Sequence, residues 1–254
     1  VVATAATREA ADGADFQAQV LRETGLKLHV IDGPEEARLS AQGVLLGWPE
    51  ARGIVCDIGG NSMELARIGD GHVGKRASTP LGPFRLQQIS SDPKKRKAHI
   101  AAILETAAKE IKAENDRIYL VGGSWRVIAR LDMERRNYPL TVLHEYRMTP
   151  EGVLVTLDWL QTTDLAALRG RTGTSAERME LVPLACEVLR EIIRILKPSE
   201  IDVSAYGIRE GLLYEQMPDR LRARDPRVPS VALVLSCLAG VLDGALRMVA
   251  NELR

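Results

Sequence analysis

The chain has 254 residues, and its 34 basic and 34 acidic side chains leave a formal net charge of zero. That length suffices for one large domain or two smaller ones with a sizeable core. The charge balance argues against a generally nucleic-acid-binding surface and leaves room only for a local basic groove.

Three cysteines, Cys56, Cys186 and Cys237, are odd in number and far apart, so they form neither a disulfide framework nor a zinc cluster. His29, His72, His99 and His144 lack ligand spacing. The most apolar run, residues 231–242, is roughly half the length that spans a bilayer and ends at Asp243. It reads as a buried or oligomer-facing helix, so self-association as a homodimer is expected. Neither a membrane nor a nucleic acid is expected as a partner, no signal peptide is evident, and a cytoplasmic location follows by default.

The chain opens without a methionine in the strand-like run 1–6, as expected of a fragment. A helix follows Asp12-Gly13, with Phe16, Val20 and Leu21 on one face and Gly25 at its C-terminal cap. Residues 27–31 alternate as a short strand. Asp32-Gly33-Pro34-Glu35-Glu36 starts the next helix, with Pro34 suited to the first turn and both glutamates where the helix dipole favours anions. Two roles stand open for Glu36: a capping-box residue, or a carboxylate projecting toward the loop that follows.

Residues 54–68 read as a buried strand, a Gly59-Gly60-Asn61-Ser62 turn and a returning strand. Glycines let the turn adopt positive φ and let a ligand approach the amides. Asp57 and Glu64 flank the turn, an arrangement suited to a hard divalent cation bridging protein and phosphate. The plain alternative is an ordinary hairpin with Gly-Asn turn chemistry.

A second turn at 69–72 and a strand over 73–79 complete a meander, which residues 80–85 break. Asp92-Pro93 starts a helix whose basic run, Lys94 to Lys97, either faces solvent or lines a polyanion path. Residues 116–126 form a strand, the loop Gly122-Gly123-Ser124 and a helix start, where amides can face an anion. The segment 133–170 shows a helix start at Thr149-Pro150 and no readable chemistry. A long core helix starts near residue 175 and stops at Pro198; a last strand over 200–204 and another helix follow. The order from residue 53 matches the βββαβαβα half-domain of the actin-like ATPase (ribonuclease H-like) superfamily, an α/β fold.

Several stretches together resemble the exopolyphosphatase/guanosine pentaphosphate phosphohydrolase (Ppx/GppA) family of that superfamily. They are residues 3–10, Ile31 to Leu39, Asp57 to Leu65, Gly122 to Leu131 and Gly207 to Leu213. The resemblance covers residues 1–226. It implies an incomplete first half-domain over 1–50 and a second half-domain over 51–217, and the expected helical tail over 218–254 falls largely beyond it.

The resemblance also implies hydrolysis of terminal phosphate from inorganic polyphosphate or guanosine pentaphosphate with a divalent metal, usually Mg2+. Glu36 then corresponds to the catalytic base, and Asp57 and Glu64 to the residues that organise the metal. Arg8, Gly59, Gly60, Asn61, Ser62, Gly122, Gly123 and Ser124 correspond to phosphate-binding positions.

Two departures accompany this. Asn61 and Met63 stand where the family has glycine and threonine, and the family's first phosphate loop would precede residue 1. Impaired activity of the fragment is therefore an expectation, with a non-catalytic polyphosphate- or alarmone-binding module as the alternative. A sugar kinase of the same superfamily is disfavoured, because Glu36 within Glu-Glu-Ala-Arg-Leu fits a hydrolase base.

Overall fold

The computed structural model describes residues 1–226 together with Val228 and Ser236. The helix expected over 231–242, Cys237 and most of the expected tail lie outside the described residues.

At the N-terminus β1 (Val2–Ala3) pairs in parallel with β2 (His29–Val30), with α1 (Ala5–Glu9) and α2 (Gly13–Thr24) between them. The strand expected over 1–6 is shorter than its apolar run. The chain turns helical at Ala5, because β2 offers β1 only a two-residue partner. The expected apolar face of α2 is not buried: Phe16 and Leu21 are about half exposed.

Helix α3 (Gly33–Gly47) is capped by Asp32, whose Oδ1 accepts the Glu35 N–H at 2.8 Å, with Pro34 in the first turn. Glu35 therefore occupies the third helical position that a capping box would use. Its carboxylate turns instead to Arg38, at 2.5 Å. Glu36 lies one step round the helix and is buried.

The meander follows as β3 (Gly53–Ile58), β4 (Met63–Gly69) and β5 (His72–Thr79). After it come α4 (Pro83–Ile89), which the proline-rich break had concealed, and α5 (Pro93–Ile111), capped by Asp92. The basic run at the start of α5 divides. Lys94 and Lys95 are exposed, whereas Arg96 pairs with Glu187 at 2.6 Å and Lys97 lies 3.8 Å from Glu191.

Strand β6 (Ile118–Val121) leads into α6 (Gly123–Arg135). An edge strand β7 (Tyr146–Met148), absent from the sequence expectation, precedes α7 (Pro150–Thr162), α8 (Leu165–Thr172) and α9 (Ala176–Leu196). Three residues are too few for an alternation pattern to register. Strand β8 (Ile201–Val203), α10 (Ile208–Gln216) and α11 (Asp219–Arg222) complete the described chain.

The main sheet has the order β5-β4-β3-β6-β8-β7. β3 is buried along its whole length, antiparallel to β4 and parallel to β6, as its unbroken apolar run demands. Pleating sends Ile54, Cys56 and Ile58 into the core shared with α5, α6 and α9. Val55 packs on the other face, with α3 and Tyr214 of α10. Asp57 shares the face of Val55 and therefore looks toward α3.

Candidate active site

Three carboxylates meet on the α3 face of the sheet. In the β3–β4 ladder Asp57 pairs with Glu64, and in the β4–β5 ladder Glu64 pairs with Ser78, so the three side chains form a row across three strands. Helix α3 supplies Glu36 and, one turn later, Ser40. Glu36, Ser40, Asp57 and Glu64 are all buried.

Each carboxylate is held in part. Ser40 Oγ donates to Asp57 Oδ2, and Ser78 Oγ donates to Glu64 Oε1 at 2.9 Å. Glu64 Oε2 is buried with no hydrogen-bond partner. Ser62 lies near enough to favour the charged form of Glu64 without reaching hydrogen-bond geometry. Arg8 Nη1 donates to the Ile31 carbonyl at 2.6 Å and stands 3.6 Å from Glu36 Oε2.

Burial biases all three groups toward protonation, and repulsion from neighbouring carboxylates adds to it at Glu36 and Glu64. Desolvation, then the Glu36 carboxylate, push Glu64 up to about 8. Desolvation and then Asp57 raise Glu36, with Arg8 opposing. Burial raises Asp57, against the Ser40 hydrogen bond and the nearby Arg126 guanidinium. A divalent cation would relieve the same repulsion. Among the described residues no group of three or more His, Cys, Asp or Glu forms a preassembled metal centre. Two carboxylates with an unsatisfied oxygen do fit Mg2+, which commonly takes one or two carboxylates plus substrate phosphate.

Two glycine loops border this cluster. The turn after β3 closes through the Gly59 N–H to the Ser62 carbonyl, 2.9 Å, which commits the Gly59 amide. Positive φ, expected for this turn, is adopted by none of Gly59, Gly60 or Asn61. The glycine at 60 answers to packing instead: a Cβ there would come within 2.7 Å of the Phe84 ring. Phe84 N–H in turn holds the Gly60 carbonyl at 2.8 Å. Asn61 Nδ2 reaches Glu9 Oε2 at 3.4 Å, which links the turn to the helix that carries Arg8.

In the second loop Gly122 has φ 111°, which L side chains rarely adopt, and precedes the first turn of α6. A Cβ on Gly122 would sit 3.1 Å from Asp57 Oδ1, so this loop lies against the same carboxylate. Gly123 and Ser124 begin α6, where N–H groups have no intrahelical partner.

The structure thus brings Arg8, Glu36, Asp57, Glu64 and both glycine loops to one end of the sheet. Sequence reasoning passed over Ser40, Ser78 and Arg126. Ser40 had a usable signal, since it lies four residues after Glu36 on the same helical face. Arg126 bonds the Gly122 and Ala205 carbonyls at 3.1 and 3.4 Å, tying the second loop to the chain after β8.

Known proteins share both the sequence and the fold. Exopolyphosphatase 1 of Mycobacterium leprae is 28% identical over 247 residues, covering 91% of this chain and 70% of that protein. A guanosine-5'-triphosphate,3'-diphosphate pyrophosphatase of Vibrio parahaemolyticus is 28% identical over 246 residues, covering 93% of this chain and 48% of its own length. The Ppx/GppA enzyme of Aquifex aeolicus superposes with a TM-score of 0.68 at 26% identity, over 84% of this chain and 74% of that one. An exopolyphosphatase of Cytophaga hutchinsonii has the same fold, with a TM-score of 0.74 at 20% identity over 85% of this chain and 73% of that one. These likenesses agree with an actin-like ATPase fold. Because the sequence profile of the Ppx/GppA phosphatase family matches residues 1–220, the chain belongs to that family of phosphoanhydride-bond hydrolases.

Proposed function

We propose that this chain removes the terminal phosphate from inorganic polyphosphate or guanosine pentaphosphate, with Glu36 as the general base. The observation that carries this reading is the meeting of Glu36, Asp57 and Glu64, all buried, between two glycine loops and beside Arg8. The Mycobacterium leprae and Vibrio parahaemolyticus relatives are named for these two substrate classes.

Asp57 and Glu64 are the residues to hold a divalent cation such as Mg2+, which when bound would neutralise charge on the phosphate oxygens. The uncommitted amides of the first turn, at Gly60, Asn61 and Ser62, and those of Gly123 and Ser124 would receive phosphate oxygens. Gly122 lets the second loop approach Asp57. Arg8, anchored on the Ile31 carbonyl, presents positive charge beside Glu36 and to the incoming polyanion. Glu36 takes a proton from the attacking water, and its raised pKa makes it a stronger base than an ordinary glutamate. As the water oxygen bonds to the terminal phosphorus, the bond to the bridging oxygen breaks, and the shortened chain leaves on the side opposite the water with the negative charge on that oxygen.

Phosphate release from long-chain polyphosphate with Mg2+ tests this reading. Glu36→Gln should lower the rate by about 100-fold or more, and equal release by both proteins overturns the assignment of the base. One observation favours a non-catalytic binding module: the Asn61 side chain, steadied by Glu9, occupies the turn where the family has glycine. Binding without turnover, unchanged by Asn61→Gly combined with Met63→Thr, would select that module.

A further inference from the structure

Two hydroxyls in this site are not accounted for by the reaction or by the fold alone. Ser40, on α3, has no exposed surface and points its only donor at Asp57 Oδ2. Ser78, on β5, lies directly across from Glu64 in the strand register and donates to Oε1 at 2.9 Å. Each serine therefore occupies one oxygen of one carboxylate and leaves the other oxygen free of it. For Glu64 that other oxygen, Oε2, is buried and without a hydrogen-bond partner. For Asp57 it is Oδ1, which faces the second glycine loop, 3.1 Å from the position of a Gly122 Cβ.

A carboxylate turns easily about its last torsion, which is broad and two-fold. One hydrogen bond to one oxygen removes that freedom and fixes where the second oxygen points. Ser40 enters from α3, which covers this face of the sheet, and Ser78 from the neighbouring strand β5, so each carboxylate of the Asp57–Glu64 pair is steadied by its own hydroxyl. We propose that Ser40 and Ser78 are positioning residues that clamp one oxygen of Asp57 and of Glu64 and so aim the remaining oxygens at a divalent cation. This inference rests on the cation reading of the site given above.

The neighbouring hydroxyl of Thr79 makes a control. It is buried on the same strand, but it donates to the Met63 carbonyl at 2.8 Å and touches neither carboxylate. Mn2+ binding to the full chain is measured calorimetrically for wild type, Ser40→Ala, Ser78→Ala and Thr79→Val, with the melting temperature of each recorded to establish folding. Ser40→Ala and Ser78→Ala should each weaken Mn2+ binding by about 10- to 100-fold, whereas Thr79→Val lowers the melting temperature and leaves the affinity unchanged. Unchanged affinity in both serine variants overturns the inference, as does an equal loss in Thr79→Val, which would make the hydroxyls merely structural. If Ser40→Ala does not fold, Ser78→Ala carries the same test alone. Absence of Mn2+ binding by wild type overturns the cation reading itself, a result distinct from binding that ignores the serines.

Discussion

Asp57 on β3 and Glu64 on β4 are direct register partners, so two carboxylates stand side by side on one face of the sheet, and both are buried. Like charges directly opposite each other destabilise a strand pair, and burial adds the cost of desolvation. Glu36 approaches the same pair from α3 and raises the pKa of Glu64 further. Packing alone would favour β-branched residues at such positions. Buried acids that converge at this cost mark a candidate functional site.

The stability of the cation-free protein should therefore fall as pH rises from about 5 to 8. The folded pKa of Glu64 lies above its ordinary value, so the native state holds a proton that the unfolded chain releases in that window. The contribution is fully present below the ordinary carboxylate pKa and is lost as pH passes about 8. The raised pKa values of Glu36 and Asp57 act in the same direction. A decline of about 10 °C in melting temperature, or roughly 3–4 kcal/mol, is expected in a chelator and is reversed by Mg2+. A melting temperature that climbs through this window would contradict the assignment, and Glu64→Gln should flatten much of the slope.

Adjacent glycines of the second loop should respond differently to alanine. At Gly122 the backbone has φ 111°, and a Cβ would press on the Ile58 carbonyl and on Asp57 Oδ1. Gly122→Ala is expected to cost about 1–3 kcal/mol and to displace the carboxylate, lowering activity in the folded fraction. At Gly123 a Cβ would meet nothing within 4 Å, so Gly123→Ala should leave stability within roughly 0.5 kcal/mol of wild type. Urea titrations of both variants decide the matter; equal losses would show that the φ at Gly122 is not the determinant.

Asp132, near the opposite end of α6 from the second glycine loop, should prove a keystone of stability. Its carboxylate, 1% exposed, accepts from Tyr146 Oη at 2.5 Å and from Thr156 Oγ1, and pairs with Arg135 at 3.0 Å and Arg136 at 3.5 Å. It thereby joins α6 to β7 and α7. Asp132→Ala leaves buried donors unpaired and should cost about 3 kcal/mol, a loss of roughly 6–12 °C in melting temperature. The remaining folded protein should retain its cation affinity, and a cation affinity lost along with stability would tie this network to the site after all.

Much of the site was legible because its signals are local. The unbroken apolar run of β3 marked a buried strand, and the Gly-Gly pairs after β3 and β6 marked its two loops. What escaped lay between segments. Glu36 had two readings until the cap register of Asp32 assigned the capping position to Glu35. The partners Ser40–Asp57 and Ser78–Glu64 are 17 and 14 residues apart and meet only when α3 lies on the sheet and β5 closes the meander. The apolar face of α2 was read correctly as a pattern, but its burial was not a property of the pattern.

By itself, then, the sequence determined the order of the longer elements, though not α4 or β7, together with the places of the two glycine loops and the identity of the acids around them. These follow from periodicity, capping and backbone freedom, which act within a few residues. Only the tertiary structure decided which oxygens are clamped, that Gly60 makes way for Phe84 rather than adopting positive φ, and that Gly122 abuts Asp57. Those outcomes depend on strand register and helix docking, where a shift of one residue would turn every side chain to the other face.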